Sequence, residues 1–141
     1  MPAQAQPAVY AAAQAEQTPM LATLKNLVHI ESGSRDYGGV SYIAQVAAER
    51  LKALGGEVQI IPATDVVRLE DTPEQVGPMV QAVFKGRGQS RIMMIAHMDT
   101  VYQRGDVDKQ PFRIEGDRVY GLGVEDEKQG VALVLHSIAM L

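Results

Sequence analysis

The apolar positions of the chain fall into blocks of different period. In TPMLATLKNLVHIESGS, Leu21, Leu24, Leu27 and Val28 recur at helical spacing. Thr18 suits an N-cap and Pro19 the first helical position, so this helix is expected to start there and to end at Ser32-Gly33-Ser34. If the Ala/Gln-rich lead, residues 1–17, is itself helical, that boundary becomes a kink. A second stripe of Tyr42, Ile43, Val46, Ala47, Leu51 and Leu54 predicts another helix, closed by Gly55 and Gly56.

The pattern then changes. Glu57 to Pro62 reads as a short strand, Ala63 to Pro78 as a polar loop, and Met79 to Gly86 as another strand. RIMMIAHM is the most continuous apolar run, which predicts a central strand with Met93 and Met94 in the core. Phe112-Arg113-Ile114, a Glu-Gly-Asp turn and Arg118-Val119-Tyr120 predict a hairpin. Val131, Val134, Leu135 and Ile138 return to helical spacing. Helix, helix, strands, hairpin and helix make an α/β order. The last pattern stops at Leu141 without a capping glycine or polar tail, so the chain reads as a fragment.

Composition narrows the function classes. The 141 residues are 46% hydrophobic and 21% charged, a soluble globular profile with a net charge of −4. A phosphate-binding surface normally shows a basic excess, so nucleic acid is not expected as a partner. No eighteen-residue apolar run is present, so no membrane span is expected. The lead lacks the charged and apolar regions of a complete signal peptide, which leaves the cytoplasm and the periplasm both open. There is no cysteine, so a metal site would have to use His, Asp and Glu.

Two stretches could carry such chemistry. In IMMIAHMDTVY, His97 and Asp99 follow the apolar run and sit two apart, on the same side of a strand. Ligands of open α/β sheets bind at the strands' carboxyl ends. A zinc-binding imidazole is usually oriented by a carboxylate on its other nitrogen. Alone, His-x-Asp is equally the polar end of a strand. In YGLGVEDEKQG, Gly121 and Gly123 precede Glu125, Asp126 and Glu127. Three adjacent carboxylates serve either as a helix cap or as a cation site that relieves their mutual repulsion. The spacing is not that of a phosphate-binding P-loop. His29, His136, Asp106 and Asp108 read as surface, packing or loop residues.

Taken together, HMDTVY and PFRIEGDRVYGLGVEDEK resemble the glutamate carboxypeptidase/aminoacylase family of di-zinc exopeptidases, most nearly its bacterial glutamate carboxypeptidases. The matching positions are His97, Asp99, Gly121, Gly123, Asp126, Lys128 and Gly130, and the likeness extends upstream through EQTPMLATLKNLVHIESGS and LKALGGEV. The resemblance implies the N-terminal part of a three-layer fold, a mixed sheet flanked by helices, over residues 18–141. It implies two zinc ions per full-length subunit, His97 binding one and Asp126 bridging both. Asp99 would be the catalytic-site carboxylate that orients His97, and the Asp126–Glu127 peptide bond would be cis. The implied reaction is hydrolysis of an amide bond in a small peptide or N-acyl amino acid, with release of a C-terminal glutamate-like residue, in a homodimer. A deacylase or desuccinylase of the same family, or a non-catalytic module on the same scaffold, are the alternatives. Glu125 and Gln129 depart from the family pattern. The Glu-Glu pair, the other ligands and the dimerisation domain are expected beyond Leu141, so the isolated chain is expected to be inactive.

Overall fold

The computed structural model describes residues 7–141. Its first helix, α1 (Pro7–Val28), starts well before Thr18 and carries Pro19 inside it. The expected boundary at Thr18 is therefore absent. Ala and Gln are good helix formers, and the turns that they build outweigh the one backbone hydrogen bond that a proline lacks. Thr23, Leu24, Leu27 and Val28 form the buried face.

Helix α2 (Tyr37–Ala53) is capped at both ends. The Asp36 carboxylate accepts a hydrogen bond from the Gly39 amide at 3.0 Å. At the other end the Gly56 and Gly55 amides, each at 3.0 Å, donate to the carbonyls of Leu51 and Lys52. This is the glycine-terminated pattern that a left-handed residue permits, and Gly55 has φ +90°. The buried face is Val40, Ile43, Ala44, Ala47, Ala48 and Leu51. Tyr42 and Leu54, expected in the apolar stripe, are exposed. Small alanines fill the face instead.

Strands β1 (Glu57–Ile61) and β2 (Met79–Val83) pair antiparallel with Gln59 opposite Gln81. A single turn of helix, α3 (Asp106–Lys109), precedes β3 (Arg113–Glu115) and β4 (Arg118–Tyr120), a hairpin with Ile114 opposite Val119. Its two-residue loop carries Gly116 at φ +63°, the first central position where a hairpin turn of this class needs glycine. A wide turn (Val124–Lys128), closed by a 3.0 Å bond from the Lys128 amide to the Gly123 carbonyl, leads into α4 (Gln129–Ala139). The core gathers Leu24, Leu27 and Val28 of α1, Ile43 and Leu51 of α2, and Val131, Ala132 and Leu135 of α4. Full burial of each large member is worth roughly 1.5–3 kcal/mol.

The α/β class stands, but the expected central strand does not form. Residues 84–99 carry no strand pairing, and Ile92, Met93 and Ile95 are more than four-fifths exposed. Met94 is exposed as well. An apolar run shows what a segment would bury. It does not supply the two flanking strands that a central strand needs, and neither β1–β2 nor β3–β4 pairs with it. Only its far end is tied down. Ala96 and Met98 pack against the core, and Thr100 forms a parallel bridge with Gly33.

Candidate metal centre

That tied end carries His97 and Asp99, and the wide turn before α4 carries Asp126. The fold brings the two motifs together across 29 positions, with His97 Nε2 3.0 Å from Asp126 Oδ1. On the other side of the ring, Nδ1 lies 3.1 Å from the Asp99 carbonyl oxygen and 3.2 Å from Asp99 Oδ1. The two motifs also meet where the Gly123 backbone passes the Thr100 side chain. Gly123 has φ +69°, and a Cβ there would sit 2.7 Å from Thr100 Cγ2. Glycine at 123 therefore serves both a left-handed conformation and a close approach. The Asp126–Glu127 peptide bond is cis.

Asp99 offers only acceptors to Nδ1, which fixes the proton of a neutral imidazole on that nitrogen. Nε2 then points a lone pair at the Asp126 carboxylate. Two acceptors 3.0 Å apart repel unless a positive charge lies between them. A proton is one solution. Partial burial disfavours the charged ring, but the Asp126 hydrogen bond and the Asp99 and Asp126 charges outweigh it, so the His97 pKa is held above its ordinary 6.5. A metal cation is the other. Zinc bonds to nitrogen and oxygen are about 2.0–2.2 Å, so two adjacent tetrahedral ligands lie about 3.3 Å apart. The observed 3.0 Å separation needs only a few tenths of an ångström of opening. The pair therefore fits as two ligands of one ion. Among the described residues no group of three or more His, Asp or Glu gathers to hold a metal. Asp99 stands behind the ring and is not a third donor.

The side chains of His97 and Asp126 are 51% and 77% exposed, so the pair opens to solvent on one side. Of the three adjacent acids only Asp126 meets His97. Glu125 is exposed, and the Glu127 carboxylate packs over Gly130. His29 is exposed and its Nδ1 lies 2.7 Å from the Lys25 carbonyl. His136 belongs to a separate contact between helices, with Nε2 2.8 Å from Thr23 Oγ1 and Nδ1 2.5 Å from Glu16 Oε2. Asp106 accepts from the Gln103 amide and pairs with Lys109, ordering the loop after Tyr102. Lys128 is the residue whose setting the sequence does not foretell. It is 1% exposed, and burial pushes its pKa down to about 8 against the opposing charge of Glu31.

Known proteins resemble this chain in sequence. Peptidase family M20/M25/M40 matches residues 93–141, the segment that holds His97, Asp99 and Asp126. The chain is 37% identical over 133 residues to carboxypeptidase G2 of Pseudomonas sp. (strain RS-16), covering 94% of this chain and 30% of that protein. It is 42% identical over 52 residues to succinyl-diaminopimelate desuccinylase of Corynebacterium glutamicum, covering 37% of this chain and 13% of that one. These likenesses are to hydrolases of the metallopeptidase class. The chain is similar to the M20/M25/M40 peptidase family over residues 93–141. It spans less than a third of the length of either relative.

Proposed function

We propose that the whole protein is a zinc-dependent amide hydrolase that releases a C-terminal glutamate-like residue from a small peptide or N-acyl amino acid. The observation that carries this reading is the 3.0 Å approach of His97 Nε2 to Asp126 Oδ1, a contact that either a proton or a metal ion satisfies and whose separation fits two ligands of one ion. His97 and Asp126 would hold zinc, Asp126 bridging to a second ion. Bound zinc would polarise the scissile carbonyl and acidify a water molecule. Asp99 keeps the imidazole proton on Nδ1 and so leaves Nε2 free to bind. The open side of the pair gives substrate a route in. A general base from the rest of the protein would take the proton of the attacking water. The assembly proposed for the whole protein is a homodimer.

Similarity to carboxypeptidase G2 over 94% of the chain supports a carboxypeptidase, and the resemblance of the two motifs to glutamate carboxypeptidases supports the substrate class. The shorter match to a desuccinylase favours a second reading, an N-acyl amino acid deacylase on the same metal pair. A hydrolysis panel on the whole protein separates the two. Faster cleavage of N-acyl-glutamates than of N-succinyl diamino acids supports the first, and the reverse order supports the second. Failure to cleave either would leave a non-catalytic module and contradict both.

A further inference from the structure

The two arms of the site are held by one short segment, residues 30–34, immediately after α1. Ser32 is fully buried, and its Oγ donates to the Met98 carbonyl at 2.7 Å. The Thr100 amide donates back to the Ser32 carbonyl at 2.8 Å. Ser34 donates twice to the Thr100 carbonyl, from its amide at 2.8 Å and from Oγ at 3.0 Å. These bonds grip the residues on both sides of Asp99. The second arm reaches the same segment through Lys128, whose Nζ donates to the Ile30 carbonyl at 2.6 Å. Glu31 Oε1 accepts the Gly105 amide at 2.7 Å and fixes the loop that follows Tyr102. Between the two grips, Gly33 passes so close to Tyr102 that a Cβ would lie 2.3 Å from its carbonyl oxygen.

We infer that Ile30–Ser34 is a bracket that sets the separation of His97 and Asp126, with Ser32 and Lys128 as its two positioning residues. The run before His97 has no strand partner among the described residues, so the sheet does not place this arm. Asp126 lies on a turn with non-helical dihedral angles, so the regular path of α4 does not place the other. Both are held by hydrogen bonds to one strip, the first arm through the Ser32 and Ser34 side chains and main-chain bonds at Thr100, the second through Lys128 Nζ. An ammonium inside the protein is costly, and it is retained here on a backbone carbonyl, where it ties the Asp126 turn to α1. The inference rests on the metal reading only for what the held pair binds.

The test uses the whole protein and two readouts. In Ser32→Ala, amide exchange at Thr100 should quicken about tenfold while that of Ala47 in α2 stays unchanged, as expected for the loss of one buried hydrogen bond. Zinc affinity, measured against a chromophoric chelator, should fall about tenfold in Ser32→Ala and in Lys128→Met. Because either loss already frees the same gap, the double variant should lose less than the product of the two single losses. Independent structural roles would multiply. Should Ser32→Ala lose its fold, Ser34→Ala, at an exposed position, carries the same readouts with smaller changes. Unchanged Thr100 exchange, or strictly multiplicative losses, would overturn the bracket. A protein that takes up no zinc yet shows the exchange pattern would remove the metal reading and keep the bracket.

Discussion

His97 and Asp126 face each other at 3.0 Å from two segments that share no secondary structure, and Asp99 holds the far side of the imidazole. Proton and metal therefore compete for one position. The His97 pKa is raised above 6.5 by its carboxylate neighbours, so the metal-free protein gains stability from protonated His97 below that value and loses it as pH rises through the higher folded pKa. Zinc affinity should run the opposite way, weak at pH 5.5 and rising until His97 is deprotonated. Titrations across pH 5.5–8.5 measure this. An affinity independent of pH in this range would exclude His97 as the competing ligand.

Gly123 gives a sharper steric prediction. Its φ of +69° disfavours any Cβ, and Thr100 Cγ2 would lie 2.7 Å away. Gly123→Ala should destabilise by about 1–2 kcal/mol from the backbone alone, and more once Thr100 is displaced. Denaturant unfolding would report the loss. Gly86, with open space around it, should accept alanine with a change within about 0.5 kcal/mol.

Lys128 makes stability depend on alkaline pH. Its folded pKa is about 8 against 10.5 in the unfolded chain, so between those values the unfolded state binds more protons. Stability should therefore rise from pH 8 to pH 10.5. The rise reflects relief of the cost of burying the charged ammonium as Lys128 loses its proton. Lys128→Met should flatten that rise. A rise of equal slope in the variant would assign it to other groups.

In the core, Ile43 of α2 is fully buried in the cluster that α1, α2 and α4 share. Ile43→Val should cost about 0.5–1.5 kcal/mol and Ile43→Ala about 2–5 kcal/mol. Thermal or denaturant unfolding of the two variants checks the order.

Local periodicity made much of the fold legible. The α2 and α4 faces, β1, β2 and the Gly116 hairpin each follow from spacing and turn chemistry within a dozen residues. The expectations that failed needed partners. RIMMIAHM has the composition of a buried strand, yet burial depends on flanking strands that its own residues cannot specify. Thr18-Pro19 has the chemistry of a helix start, but the Ala-rich turns before it extend the helix. The site followed the same rule. His97, Asp99 and Asp126 stood out because their residue types and order matched a known pattern. Ser32 did not, and although Lys128 lies in the same pattern its burial was not legible, since a serine in a loop and a lysine in an acidic run look like surface until the chain folds them inward.

The central claim is that His97 and Asp126 hold metal together. Metal content of the whole protein, determined by elemental analysis after dialysis against zinc-buffered solution, tests it most directly. Two zinc ions per subunit are expected in the unaltered protein, with loss of at least one in His97→Ala and of both in Asp126→Ala, and amide hydrolysis abolished in each variant. A protein without zinc, or one in which both variants keep their full zinc complement, would contradict it.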